Sequence, residues 1–154
     1  ITPTTDGASL DSYLVLEDTG MPIKDPHRMA AIEQLLTRAL TVENAATPPV
    51  TRRMPRQARM FTTPTQVTFS ADPLNGRTIL EVVAGDRPGL LSEIGKVLWD
   101  QQIELHGAKI MTVGERAEDV FYVTDESSRP LGETRRAALA EALQRALVTR
   151  GVAA

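Results

Sequence analysis

Alternating and helical hydrophobic stretches follow one another most legibly between residues 65 and 150. Thr78-Ile79-Leu80-Glu81-Val82-Val83 is apolar and β-branched, as in a strand buried largely on both faces. It stops at Gly85-Asp86-Arg87-Pro88-Gly89, where Asp86 or Arg87 fits a helix N-cap and Pro88 its first turn. Leu90, Leu91, Ile94, Val97 and Leu98 then recur at helical spacing, which predicts a helix to about Gln102. Leu105 to Val113 alternates as a half-buried strand, and Gly114-Glu115-Arg116 turns it. Alternation returns from Glu118 to Asp125, with Val120, Tyr122 and Thr124 on one face and Asp119, Phe121 and Val123 on the other. Glu133 to Thr149 is rich in Ala, Leu and Arg without a breaker and reads as a helix.

Strand, helix, strand, strand, helix is the split βαββαβ order short of its last strand. Thr65-Gln66-Val67-Thr68-Phe69-Ser70 is also strand-like, and the turn-rich Asp72-Pro73-Leu74-Asn75-Gly76 joins it to the first strand. A hairpin lays residues 65–70 antiparallel beside 78–83, where the missing last strand belongs. The expected fold class is α+β, ferredoxin-like, with a permuted edge.

The chain also repeats itself. Asp11, Tyr13 and Val15 fall 108 residues before Asp119, Phe121 and Val123. Arg28-Met29-Ala30-Ala31-Ile32 through Arg38-Ala39-Leu40 matches Arg135-Arg136-Ala137-Ala138-Leu139 through Arg145-Ala146-Leu147 at an offset of 107. The later copy has a front half, from about Arg77 to Met111, that the earlier one lacks. Residues 1–42 therefore read as the back half of a repeat whose front lies before Ile1 in a longer protein. Such a piece is expected to complete its sheet with another chain or to stay poorly packed. Residues 65–150 read as the complete copy. Between them, residues 43–64 carry Pro48, Pro49, Pro55 and Pro64 with Arg52, Arg53, Arg56 and Arg59. That stretch reads as a solvated linker, with a basic arm for an acidic partner as the alternative.

Composition narrows the function. Seventeen Lys and Arg against 20 Asp and Glu, with a pI near 5.4, give no electrostatic footprint for nucleic acid. No apolar run approaches the roughly 20 residues of a membrane span, so neither nucleic acid nor membrane is expected as a partner. The absence of Cys excludes disulfides, thiolate zinc sites and cysteine nucleophiles, and it suits the cytoplasm. With two His a multi-histidine metal site is not expected. Phosphate-loop, dinucleotide and nucleophile-elbow motifs are missing, as are a His-Asp dipeptide and a D-x-D pair. His27 and His106 read as surface or edge residues, and Asp119 and Asp125 as turn and solubility residues. No catalytic residue is proposed, and these residues as given are not an enzyme. The one positive signal is Gly85-Asp86-Arg87-Pro88-Gly89-Leu90-Leu91 at a strand-to-helix turn. Gly89 admits a ligand to the backbone, and the N–H groups of the first helical turn favour a carboxylate.

The strand followed by Gly-Asp-Arg-Pro-Gly-Leu-Leu-Ser-Glu-Ile-Gly resembles the ACT domain, a regulatory fold that senses amino acids. Leu105-His106-Gly107-Ala108-Lys109-Ile110, with Gly114-Glu115-Arg116-Ala117-Glu118-Asp119-Val120-Phe121-Tyr122-Val123-Thr124-Asp125, is similar to the C-terminal tail of a bacterial family. That family comprises the bifunctional uridylyltransferase/uridylyl-removing enzymes, which modify the nitrogen-signalling protein PII. Thr4-Thr5-Asp6-Gly7 with Leu10-Asp11 and Tyr13 resembles the corresponding part of the penultimate of its two ACT domains. The resemblance implies a tail that reports glutamine, or another free amino acid, and switches the enzyme from adding UMP to PII toward removing it. It implies partners in the parent's own catalytic domains, in PII through the parent, and in other copies through ACT sheets. It implies no cofactor in this chain, since Mg and UTP serve the catalytic domains. By position, Asp86, Arg87, Pro88, Gly89, Leu90 and Leu91 match the family's ligand loop, with His106 and Lys109 on the neighbouring strand. Helix N–H groups would take the ligand's α-carboxylate, and Asp86 or a loop carbonyl its ammonium group. The competing reading is an association module of another amino-acid-metabolism enzyme, with no ligand of its own. An RNA-recognition motif shares the element order, but strands 78–83 and 105–113 lack the Phe, Tyr or Trp on which bases stack.

Overall fold

Period-two burial along two neighbouring strands organises the structure. A computed structural model describes residues 2–3, 9–10, 14–17, 19–41, 50 and 63–148. The elements are β1 (Thr2–Pro3), β2 (Ser9–Leu10), α1 (Pro26–Thr41), β3 (Gln66–Asp72), β4 (Arg77–Gly85), α2 (Leu90–Asp100), β5 (Glu104–Lys109), β6 (Thr112–Val113), β7 (Arg116–Thr124) and α3 (Glu133–Val148). By contacts, residues 1–10 and 52–154 form one compact unit and residues 11–51 another.

In the first unit β4 and β7 pair antiparallel at the centre of the sheet, from Thr78 opposite Val123 to Gly85 opposite Arg116. Thr78, Leu80, Val82 and Ala84 of β4 and Ala117, Asp119, Phe121 and Val123 of β7 face inward and are buried. Their alternates, Ile79, Glu81, Val120 and Tyr122, stand on the more open face. Two helices cover the inward face, α3 over the β3 side and α2 over the β5 side. Leu90, Ile94 and Leu98 of α2 and Leu139, Leu143 and Leu147 of α3 complete the core. Removing such side chains from water is the main stabilising term, at roughly 25 cal/mol per Å² of apolar surface.

The edges match the expected permuted sheet. β3 pairs antiparallel with β4, Gln66 opposite Val83 through Asp72 opposite Arg77, so the sheet runs β3-β4-β7-β5. The strand anticipated over residues 105–113 is instead broken. Both β5 and β6 pair with β7, but Ile110 and Met111 lie between them outside the ladder. α2 stops at Asp100, two residues before the expected end. Gln102 turns left-handed, φ 53°, and Ile103 N–H returns to Leu98 O at 2.9 Å.

The second unit repeats local details of the first. Glu17 N–H bonds Met21 O and Gly20 N–H bonds Glu17 O, each at 2.9 Å, with Gly20 at φ 77°. In the same places 108 residues on, Asp125 N–H bonds Arg129 O and Ser128 N–H bonds Asp125 O, each at 2.9 Å, with Ser128 at φ 55°. Helices of 16 residues follow in both, and Asp25 Oδ1 accepts His27 N–H at the start of α1. Burial differs sharply. Leu139 and Leu143 are 0% exposed, whereas α1 has no buried residue and Leu36, the counterpart of Leu143, is 56% exposed. The strand anticipated around residues 11–15 falls largely on residues outside those described, as does most of the 43–64 linker. No described helix is long and apolar enough to cross a membrane.

Leu143→Ala is expected to lower the unfolding free energy of the chain by about 2–5 kcal/mol. Leu36→Ala, at the equivalent exposed position, is expected to change it by less than about 0.5 kcal/mol. Urea denaturation of the two variants beside wild type reads the difference.

Candidate functional site

The turn between β4 and α2 is held on both sides. At its start Asp86 N–H bonds Glu115 O at 2.9 Å, tying it to the β6–β7 turn. At its end Leu90 N–H bonds Arg87 O at 3.2 Å and Glu93 N–H bonds Gly89 O at 3.0 Å. Gly89 is the N-cap residue, left-handed at φ 89° and ψ −2°, and makes no side-chain cap bond. This corrects the expected cap: neither Asp86 nor Arg87 fills it, and Pro88 precedes the helix. A left-handed bend carries a Cβ penalty of roughly 1–2 kcal/mol that glycine escapes, which fixes the residue type here. The N–H groups of Leu91 and Ser92 lie in the first turn, where no helical acceptor exists for them.

Side chains around the turn divide by what holds them. Arg87 forks onto Glu93, with Nη1 to Oε1 at 2.9 Å and Nη2 to Oε2 at 2.6 Å. Nη2 also reaches Leu147 O, near the end of α3, at 3.3 Å. Its guanidinium therefore clamps the turn to both helices. Leu90 is buried in the core, Leu91 is exposed, Pro88 and Gly89 are half-buried, and Asp86 is exposed.

His106 and Lys109 are not brought to the turn. His106 sits at the bulge between Leu105 and Gly107, with Nε2 2.8 Å from Thr124 Oγ1. Leu105 pairs with Val123, whereas Gly85 pairs with Arg116, so roughly 23 Å of strand separates the two places. Burial lowers the His106 pKa, helped by the Arg77 charge and opposed by Glu104. Lys109 pairs with Val120 on the open face.

Asp119 is the residue that sequence reasoning missed. It is no solubility residue: it is 2% exposed and points into the core face, opposite Val82. Its Oδ1 accepts the Met111 N–H at 3.3 Å, which explains the gap between β5 and β6. Its Oδ2 is buried with no hydrogen-bond partner. Burial raises the carboxyl pKa, the Met111 N–H opposes that rise, and the nearby Asp86 charge adds to it. The signal was present in the alternation, which put Asp119 on the same face as Phe121 and Val123.

The ACT domain family model matches residues 78–141, spanning β4 through most of α3 and including both the turn and Asp119. Those residues are an ACT domain. The chain is also 48% identical over 138 residues to the bifunctional uridylyltransferase/uridylyl-removing enzyme of Methylococcus capsulatus, covering 89% of this chain and 16% of that protein. The enzymes of the same name from Stutzerimonas stutzeri and Pseudomonas aeruginosa LESB58 are 44% and 42% identical. These matches cover 81% and 96% of this chain, and 14% and 16% of those proteins. The chain thus spans about a sixth of the length of the curated relatives it matches.

Two measurements check this account of the ACT domain. A carboxyl whose folded pKa is raised leaves the folded state holding more protons than the unfolded one, so stability falls as pH rises through the folded value. Asp119→Asn keeps an acceptor for Met111 and removes the charge. Its Tm relative to wild type is expected to rise as pH increases from below 3.8 to 7.5. Arg87→Met is expected to lower the unfolding free energy by about 1–3 kcal/mol, through lost charge-assisted bonds to Glu93 and Leu147 O. Urea denaturation at pH 7.5 measures it.

Proposed function

We propose that this chain is the tandem ACT region of a bifunctional uridylyltransferase/uridylyl-removing enzyme, and that its β4–α2 turn senses free glutamine. The observation that carries the reading is the turn itself. A left-handed Gly89 opens the backbone, the first turn of α2 offers N–H donors, and two carboxylates lie near its base. An α-amino acid has the complementary pair of charges. Its carboxylate meets the helix N-terminus, and its ammonium meets the acidic side.

Residues 1–42 are, on this proposal, the back half of the preceding ACT repeat. The support is the pair of matching turn bonds and the equal helices at an offset of 107–108. The exposed stripe of Leu36 and Leu40 on α1 then belongs against a sheet supplied by residues upstream in the parent. In that parent the catalytic domains, with their Mg and UTP, add UMP to PII and remove it. Glutamine at the ACT region favours removal. Among the described residues there is no grouping of three or more His, Asp or Glu that would hold a metal.

The test is glutamine titration of uridylyl removal from PII by the full-length enzyme. Gly89→Asn is the informative variant, because Asn tolerates left-handed angles better than other side chains while adding bulk at the proposed approach. Gly89→Val would combine bulk with backbone strain and separate nothing. The half-maximal glutamine concentration is expected to rise about ten- to a hundredfold in Gly89→Asn, as for loss of one or two polar contacts. An unchanged response in a folded variant removes the turn as the sensor and favours a ligand-free association module.

A further inference from the structure

Asp86, exposed at the turn, is the obvious candidate to meet the ligand's ammonium group. The geometry points deeper. We propose that the buried Asp119 is the counter-charge that receives the ammonium group of the amino acid at the β4–α2 turn. The proposal rests on the sensing function proposed above.

Three observations carry it. First, Asp119 is 2% exposed, and its Oδ2 has no hydrogen-bond partner although Oδ1 is held by Met111 N–H. A buried carboxylate oxygen without a donor is costly, and a charged one more so. Second, no protein cation serves it among the described residues. Arg87 is forked onto Glu93, Arg116 pairs with Glu118, and Lys109 stands on the other face of the sheet. Third, Asp119 stands opposite Val82, three residues before β4 ends at Gly85, on the face that packs against α2, and the Asp86 charge at the turn reaches it. Ammonium suits this place better than a divalent cation, because no grouping of three or more carboxylates or histidines exists among the described residues. It also suits it better than an anion, which both carboxylates would repel.

An ammonium group donating to Asp119 Oδ2 gives the carboxylate its missing donor and neutralises its charge. Because Oδ2 is covered, the ammonium group reaches it only through a local opening of the domain. Asp119 thereby selects α-amino acids against molecules that share only the carboxylate and side chain.

Calorimetry on the full-length enzyme tests this with two probes, L-glutamine and glutaramic acid. The second keeps the carboxylate and the carboxamide but lacks the ammonium group. Wild type is expected to bind L-glutamine about a hundredfold more tightly than glutaramic acid. Asp119→Asn is expected to lose that factor for L-glutamine and to bind glutaramic acid as wild type does, so that the preference collapses. Asp86→Asn is expected to retain most of the preference. L-glutamine binding in Asp119→Asn equal to wild type overturns the role of Asp119 and leaves the turn as a sensor. Equal losses for both compounds mark a purely structural residue and also overturn it. If wild type binds neither compound, the glutamine-sensing reading fails and takes this inference with it.

Discussion

The antiparallel pairing of β4 with β7 is the constraint on which everything else depends. It runs from Thr78–Val123 to Gly85–Arg116 and lies at the middle of the sheet, so its inward residues receive both helices. Side chains alternate strictly along a strand, so the register decides which set is buried. A slip of one residue would bring Val120 and Tyr122 inward and turn Asp119 outward. The same register ends β4 beside the β6–β7 turn, where Glu115 O takes the Asp86 N–H. Core packing and site geometry are therefore set by one ladder. The apolar pairs that stabilise it also bury the Asp119 carboxylate on the same face.

The two copies of the turn and helix separate local from tertiary causes. Residues 14–41 and their counterparts 107–108 residues later make the same turn bonds and helices of equal length. Local sequence is enough for that: a left-handed residue at the turn, and an Ala- and Leu-rich helix behind it. Burial is a different matter. Leu143 is enclosed because α3 packs against α2 and β3 and joins the common core, while Leu36 carries the same side chain at 56% exposure. Helical periodicity states which face is to be covered. It does not supply the cover.

The sheet was legible from sequence because its signal is periodic and redundant. β7 repeats its alternation several times, and Gly and Pro punctuate the ends; β4 read as buried on both faces, whereas Ile79, Glu81 and Val83 stand on the open one. The permuted edge followed from counting strands, since residues 65–70 were the one segment available for the missing position. Points that hang on a single torsion were not legible. Asp86, Arg87 and Pro88 each suit a helix start, and only the φ of 89° at Gly89 shows where the helix begins. Arg87 could equally have faced a ligand. Its fork onto Glu93 is local, but its hold on Leu147 O depends on α3 arriving from 60 residues away. His106 shifted register at a bulge that no period announces. Asp119 was different, because its burial could be read from the alternation, yet its chemistry pulled the reading toward the surface.

That conflict at Asp119 is where fold and function part. A Val or Leu opposite Val82 would fill the core with less desolvation cost and would leave no acceptor bare. Asp119 does give Met111 N–H a partner, but one oxygen suffices for that, and the second is left over. The proposed ligand completes the site. A cation that binds only the folded domain also stabilises it in proportion to RT ln(1 + [L]/Kd). On this proposal, the stability that the buried carboxylate removes at neutral pH is returned when an amino acid supplies the missing charge. The turn beside it is tethered to the β6–β7 turn and clamped to both helices, so on this proposal a ligand at Asp119 bears on all three.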